Sequence, residues 1–269
     1  MNKIELLSPA GDLERLKFAF IYGADACYIG GKDYSLRANA NNFSIEEIKE
    51  ACDFAHSLNK KVYLTLNIVF HNEDINGVYD YIKKVVDAGI DAFIVSDGNK
   101  YGVISRKTNN KPIIDLNYEE INIRENFPNV EIHVSTQDST SNYKSVEYLK
   151  KEGVTRVVTA REVNLKEIKD IIEKTHVDIE IFIHGALCIA YSGQCLFSSM
   201  VGGRSGNRGK CAQPCRLPYK LIEKAKKFVY TPSDKYYYYQ RIGSITHNRF
   251  KPKTYDLYNG INEEYTNIT

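Results

Sequence analysis

The chain contains 269 residues, of which 43% are hydrophobic and 26% are charged, and its net charge is +2. This balance is ordinary for a globular protein and excludes a chain that is polycationic as a whole. No apolar run approaches the roughly 18 residues that span a bilayer, and the first residues lack the pattern of a secretory signal. We therefore predict a cytoplasmic protein without a membrane partner, in which clustered cysteines are more often metal ligands than disulfides.

Short apolar runs alternate with amphipathic patterns along most of the chain. The predicted strands start about 29 residues apart, which is the period of a β/α unit. The predicted fold class is α/β, a TIM-barrel-like (β/α) repeat that is incomplete, with about seven strands, although an open doubly wound sheet has the same period. The predicted strands are Ile4–Leu7, Ala26–Ile29, Val62–Asn67, Ala92–Ser96, Glu131–Ser135, Arg156–Thr159 and Ile179–Ile183.

Helix boundaries between these strands carry local signals. Ser44 with Glu47, and Asn164 with Glu167, have the spacing of capping boxes at helix starts. Gly or Asn residues precede several strands and are typical of helix ends. They are Gly23, Asn59, Gly89 and Gly153.

Two regions depart from the repeat. Residues 105–126 are polar and irregular, so we interpret them as an insertion, with a short helix possible at Tyr118–Phe127. Residues 229–269 are rich in Tyr, Lys, Asn and Thr, and we predict an irregular tail there. The predicted domain therefore covers residues 1–228 and includes a cysteine cluster segment at 180–216.

Four of the six cysteines fall within 28 residues, in the spacing C-x6-C-x15-C-x3-C. Four thiolates can complete a tetrahedral zinc site or hold a cubane iron–sulfur cluster. The absence of tight C-x2-C knuckles favours the cluster over zinc. The predicted ligands are Cys188, Cys195, Cys211 and Cys215, whereas Cys27 and Cys52 lie in apolar surroundings typical of buried thiols.

A basic stretch surrounds the second cysteine pair. Eight basic residues and one acid between residues 204 and 227 give a local net charge of +7 beside Gly-rich backbone. Such a patch predicts contact with an RNA backbone, although the charge could instead offset the thiolates or form a solvated face. The predicted RNA contacts are Arg204, Arg208, Lys210 and Arg216.

The residues around these cysteines resemble the collagenase-like peptidase family of unassigned catalytic type. The first block reads Glu180-x-Phe182-x-x-Gly185-Ala186-Leu187-Cys188-x4-Gly193-x-Cys195, and the second contains Asn207-Arg208-Gly209 and Cys211-Ala-Gln-Pro-Cys215-Arg216. Three earlier segments are also similar, namely Ser8-Pro9-Ala10-Gly11, Ser135-Thr136-Gln137 and Ala160-Arg161-Glu162. Phe197 departs from the aliphatic residue that is usual there. The resemblance covers roughly residues 3–222 and ends after about residue 228, from which we expect a truncated or frame-shifted member.

The resemblance implies a barrel-like fold, with a [4Fe-4S] cluster on the four cysteines. It also implies a role in hydroxylating tRNA or ribosomal RNA, with prephenate as a co-substrate. The family label offers a peptidase as the alternative, yet the sequence contains neither His-Glu-x-x-His nor Gly-x-Ser-x-Gly. A zinc-binding, non-enzymatic RNA-binding module is the third interpretation.

Chemistry in a (β/α) barrel takes place at the carboxyl ends of the strands. Polar residues predicted at those ends are Asn67, Asp97, Gln137, Arg161, Glu162 and His184. Of these, Gln137, Arg161, Glu162 and His184 are the predicted catalytic residues, Arg161 because a guanidinium matches a carboxylate and His184 because it could move a proton. For each of them, a polar cap on a strand end is the simpler interpretation.

Overall fold

The computed structural model describes residues 4–36, 41–75, 77–96, 123–185 and 188–217. The chain divides into two units. The first comprises Met1–Cys195 with Asn207–Lys210, and the second comprises Leu196–Gly206 with Cys211–Thr269. The predicted position Asp97, most of the predicted insertion and the whole predicted tail lie outside the described residues.

The first unit is built on a seven-stranded parallel sheet whose strands follow one another in chain order. Helices connect most of the consecutive strands, as parallel pairing requires. The strands are β1 (Leu7–Pro9), β2 (Ala26–Gly30), β3 (Lys61–Leu66), β4 (Ala92–Val95), β5 (Glu131–Val134), β6 (Arg156–Val158) and β7 (Asp178–Glu180). The predicted α/β repeat of about seven strands is confirmed.

The helices of the first unit cover one face of this sheet. They are α1 (Leu13–Ile21), α2 (Ile45–Ser57), α3 (Asn72–Ile75), α4 (Val78–Asp87), α5 (Ile123–Asn126), α6 (Tyr143–Lys151) and α7 (Leu165–Thr175). Both predicted capping boxes are present, at the starts of α2 and α7. The four predicted helix-ending residues all have positive φ, between 54° at Asn59 and 102° at Gly89.

The two faces of the sheet bury different side chains. In β3, Val62, Leu64 and Leu66 belong to the large core between sheet and helices, whereas Tyr63 belongs to a small separate cluster. The alternation follows from the pleat, which sends successive side chains to opposite faces. The smaller cluster therefore marks the concave inner face of the sheet.

A contact across the inner face shows how strongly the sheet curls. Glu5, just before β1, accepts two hydrogen bonds from the Arg156 guanidinium on β6, at 2.5 and 3.3 Å. Arg156 also lies 3.9 Å from Glu180 at the end of β7. Since β1 and β6 are separated by four strands in the sheet order, the sheet must curl as a barrel does.

Two strands differ from the prediction by more than one residue at a boundary. The first strand was expected at Ile4–Leu7 but occupies Leu7–Pro9, because the Asp25 carboxylate, not a neighbouring strand, accepts the Leu6 N–H at 3.0 Å. The seventh was expected at Ile179–Ile183 but ends at Glu180, and Ile183 is 78% exposed. An apolar run alone is therefore not sufficient to extend a strand that, within the described ranges, pairs on one side.

The second unit, where described, contains α8 (Phe197–Gly202) and a 3₁₀ turn at Pro214–Arg216. The Ala212 N–H donates to Ser198 Oγ at 2.9 Å and ties the two together. Within the described ranges, no helix is both long and apolar enough to cross a membrane.

Candidate functional site

The carboxyl ends of the strands in the first unit are joined by neutral polar side chains. Asn67, just after β3, accepts the Leu36 N–H at 3.1 Å and donates to Ser135 Oγ at 3.4 Å. Ser35 and Thr65 share a buried hydrogen bond of 2.7 Å. These contacts connect the loops that follow β2, β3 and β5.

The segment that carries the first two cysteines docks on the ends of β5 and β6. Thr136 Oγ1 is buried, 3.1 Å from both Thr159 O and Ser192 Oγ. The Arg161 guanidinium donates to Ala190 O at 3.4 Å. Residues 188–195 are therefore positioned by side chains that follow two neighbouring strands.

Gly193 is required by the same docking. Its φ is +70°, and an added Cβ would lie 2.0 Å from Gln137 O. A backbone carbonyl cannot yield to that degree, so only glycine allows this approach. The predicted catalytic residue Gln137 therefore contacts the cysteine segment through its backbone.

The predicted catalytic residues separate into two pairs. Gln137 and Arg161 are half-buried and meet the cysteine segment, whereas Glu162 and His184 are exposed. Arg161 Nε is a buried donor for which the described residues offer no acceptor. A guanidinium with a remaining donor is suited to bind an anion.

The six cysteines fall into two environments, as predicted. Cys27 and Cys52 are buried, and burial raises the pKa of each thiol to about 12, so both stay protonated. Cys188, Cys211 and Cys215 are exposed and Cys195 is half-buried, and all four are free thiols. Only this second group can reach an ion from solvent.

The donor set of the four accessible thiols fits a thiolate-bound metal or cluster. Cys211 Sγ accepts the Gln213 N–H at 3.3 Å, the kind of hydrogen bond that stabilises a ligating sulfur. Cys188 and Cys195 belong to the first unit, Cys211 and Cys215 to the second. In the ranges described, no group of three or more His, Cys, Asp or Glu side chains could hold a metal. The four-cysteine site therefore remains a prediction.

The predicted RNA-binding residues also differ among themselves. Arg204, Lys210 and Arg216 are exposed. Arg208 is half-buried and its guanidinium contacts both carboxylate oxygens of Asp74, one of them at 2.9 Å, and Val69 O at 2.8 Å. Arg208 therefore acts inside the first unit in this conformation.

Sequence reasoning missed an ionic cluster on the inner face of the sheet, which we call the inner cluster: Glu5, Tyr63, His133, Arg156 and Glu180. Tyr63 donates to Glu5 at 3.0 Å and packs edge-on against the His133 ring at 4.7 Å. The alternation of Tyr63 and Thr65 with apolar neighbours in β3 was the available signal.

Burial dominates the electrostatics of the inner cluster. Desolvation raises the pKa of the Glu180 carboxyl to about 7, and its Oε2 has no hydrogen-bond partner among the described residues. Burial also lowers the pKa of His133. Burial opposes ionisation of Glu5 too, yet the hydrogen bonds from Arg156 and Tyr63 hold the pKa of that carboxyl below its ordinary value. The Arg156 guanidinium therefore lies near two carboxyls but donates its hydrogen bonds to Glu5.

Comparison with known proteins confirms the family resemblance. The sequence model of peptidase family U32 matches residues 11–119 and 113–263. The chain is 47% identical over 222 residues to tRNA hydroxylation protein P1 of Bacillus subtilis, covering 82% of this chain and 48% of that protein. It is 40% identical over 220 residues to the 23S rRNA 5-hydroxycytidine synthase of Escherichia coli, covering 82% and 30%.

A third relative carries the other functional label. The chain is 34% identical over 236 residues to a collagenase of Porphyromonas gingivalis, covering 83% of this chain and 52% of that protein. The chain thus spans about half the length, or less, of these relatives.

Proposed function

This chain belongs to peptidase family U32, and we propose that it is an iron–sulfur protein that takes part in the hydroxylation of RNA. The observation that carries the proposal is the 47% identity to a tRNA hydroxylation protein over 82% of the chain. The relative named as a 23S rRNA hydroxycytidine synthase supports the same reaction class.

In this proposal, Cys188, Cys195, Cys211 and Cys215 hold a [4Fe-4S] cluster, with zinc as the alternative. A bound cluster supplies one-electron chemistry. The four accessible thiols support this assignment, and so does the docking of residues 188–195 on strand ends, where (β/α) barrels carry chemistry.

We assign binding roles to residues around this segment. Arg161 would bind the carboxylate of a small co-substrate such as prephenate, since its buried Nε has no acceptor among the described residues. Arg204, Lys210 and Arg216 would contact RNA phosphates, since all three are exposed. Arg208 is left out of the RNA surface because its guanidinium binds Asp74. Gln137 would position the cysteine segment, and the exposed His184 would move a proton from the solvent side.

Metal analysis tests the cofactor assignment. The protein is purified without oxygen, and iron, acid-labile sulfide and zinc are measured per chain. We expect iron and sulfide in equal amounts in the wild type, their loss in Cys195→Ser, and their retention in the control Cys52→Ala, whose thiol is buried. Zinc without iron and sulfide would instead favour a non-enzymatic RNA-binding module.

Nucleoside analysis tests the reaction. RNA from cells lacking the gene is compared with RNA from cells carrying wild-type or Cys195→Ser protein, and hydroxylated pyrimidines are quantified in tRNA and ribosomal RNA. We expect them to return only with the wild type. Unchanged hydroxylation in the gene-deleted cells would contradict the proposal.

The collagenase relative favours a peptidase as the second candidate function. Cys188 and His184 are both exposed and could form a nucleophile and base only if the thiol carried no metal. Hydrolysis of gelatin by metal-free wild type, abolished in Cys188→Ser, would support this alternative.

A further inference from the structure

We propose that Asp74 and Arg208 form a clamp that positions the second cysteine pair for cluster binding. The inference rests on the proposed function, since it assigns Asp74 and Arg208 a role in presenting the ligands of that cluster. Neither residue is a ligand itself, so both are positioning residues.

The clamp joins distant parts of the chain by several contacts at once. Arg208 forks onto both oxygens of Asp74 and also donates to Val69 O. The Val69 N–H in turn donates to Asn207 O at 2.9 Å. A paired guanidinium fork with two backbone bonds fixes orientation as well as distance.

The partners are shielded from water, which strengthens the ion pair. The side chains of Arg208 and Asp74 are only 20% and 12% exposed. The hydrogen bond from Arg208 is the main cause that holds the pKa of Asp74 below its ordinary value. Asp74 is held independently, because it accepts the His71 N–H at 2.7 Å.

The loop that receives Arg208 is itself well packed. Ile68 and Phe70 are buried, and the Phe70 ring stacks on Tyr34 at 5.6 Å. Ser96 donates to Ile68 O at 3.0 Å. Arg208 is therefore attached to a loop that follows β3 and is anchored on both sides.

Arg208 stands three residues before Cys211, so the clamp acts close to a predicted ligand. Fifteen residues separate Cys195 from Cys211, and a free loop of that length could place Cys211 in many positions. Only Gly209 and Lys210 stand between the clamp and Cys211, so the Cα atoms of Arg208 and Cys211 lie within about 11 Å. Fixing Arg208 therefore limits the positions that Cys211, the next ligand, can take.

Substitution at both ends of the clamp tests the proposal. Asp74→Asn removes the charge pair with little change in volume, Arg208→Gln removes it and shortens the side chain, and Arg208→Lys keeps the charge but loses the fork. The control is Lys169→Gln, which breaks an exposed ion pair with Glu173 on α7. Cluster loss to an iron chelator is followed in anaerobically purified protein by absorbance.

We expect each single variant to lose the cluster about tenfold faster than wild type, in line with hydrogen bonds to charged groups. The double variant should be no faster than the worse single one, because the two residues act as one unit. Arg208→Lys should fall between. Wild-type rates in Arg208→Gln would overturn the proposal, and so would RNA binding weakened as much as in Arg204→Gln while cluster retention is unchanged.

A second measurement separates this inference from the proposed function. Hydrogen exchange at the Val69 amide, which donates to Asn207, reports release of the clamp in metal-free protein. We expect about tenfold faster exchange in Asp74→Asn. If the wild type contains neither iron nor sulfide, the proposed function fails; if Val69 exchange does not change, the clamp fails.

Discussion

The inner face of the sheet and the carboxyl ends of its strands differ in the kind of polar side chain that they carry, charged on the inner face and neutral at the carboxyl ends. On the inner face, charged groups of β6, β7 and the residues before β1 meet one another, with Arg156 between Glu5 and Glu180. At the carboxyl ends, neutral groups such as Asn67, Thr136 and Ser192 bind backbone and one another.

The two regions therefore have different proposed roles, stability for the inner cluster and positioning of the cysteine segment for the carboxyl ends. On the inner face, Arg156 joins Glu5 and Glu180 across the curl of the sheet. The neutral contacts at the carboxyl ends instead fix the segment between Cys188 and Cys195 and leave Arg161 with a buried donor. The proposed site therefore lies at the carboxyl ends of the strands, where (β/α) barrels usually carry their chemistry.

The largest effect is expected from Arg156→Met, which keeps much of the apolar stem but leaves two carboxyls without their cation. Breaking a buried ion pair costs roughly 3–5 kcal/mol of unfolding free energy. Urea denaturation measures it, with Lys169→Met on an exposed pair as the control. A loss below about 1 kcal/mol would show that the inner cluster does not stabilise the curl.

The pH dependence of stability comes next. The pKa of Glu180 is about 7 in the folded protein, against an ordinary value of 4.5. Between pH 4.5 and 7, the Glu180 carboxyl keeps its proton in the folded state but releases it in the unfolded state. The contribution of Glu180 to the free energy of unfolding therefore falls as the pH rises, by up to roughly 3 kcal/mol. The pKa of Glu5 is lowered in the folded protein, so its contribution to stability is instead lost as the pH falls below the ordinary range of a carboxyl.

Glu180→Gln should remove this dependence. We expect the variant to be more stable than wild type at pH 8 and to match it near pH 4.5, as measured by urea denaturation across the range. Glu173→Gln, on the exposed pair of α7, is the control. Parallel stability curves for wild type and Glu180→Gln would refute the assignment. Arg156 and Glu5 are the charged groups that act on Glu180, and both are left unchanged.

The carboxyl ends should respond to Gly193→Ala. A Cβ at φ +70° and 2.0 Å from Gln137 O must displace the cysteine segment, at a cost of roughly 1–3 kcal/mol. We expect faster amide exchange at residues 190–195 and lower iron content. Gly202→Ala is the matched control, since its Cβ would meet nothing within 4 Å. Equal behaviour of the two variants would contradict the docking.

The smallest effect is expected from Thr136→Val. Loss of the buried hydroxyl leaves Thr159 O and Ser192 without that partner and should cost about 1–2 kcal/mol. The change should loosen residues 188–195 without altering the pH dependence that Glu180 causes. A variant that shifts the pH curve would mean that the two regions are not independent.

Much of the fold could be predicted from local signals. Both capping boxes and all four helix-ending residues were correct, because each depends on neighbours within a few residues, and the β/α period was correct because each apolar run is itself a local pattern. The ends of the first and last strands were wrong, because the Asp25 carboxylate accepts the Leu6 N–H and because β7 pairs, among the residues that the structure describes, only with β6. Strand limits depend on the partner strand, which a local pattern does not contain.

The sequence by itself determined which residues are the candidates for the chemistry of the site. Polar neighbours distinguished the four accessible cysteines from Cys27 and Cys52, and the strand period located Gln137 and Arg161 at the carboxyl ends. Only the tertiary structure decided which residues of the same type are buried in contacts and which are exposed. Arg208 turns inward while Arg204 is exposed, because the carboxylate of Asp74 binds Arg208. A local pattern cannot reveal this contact, since Asp74 stands 134 positions earlier in the chain. Glu180 stays protonated to about neutral pH because the curl of the sheet buries its carboxyl, and this desolvation outweighs the opposing charge of Arg156.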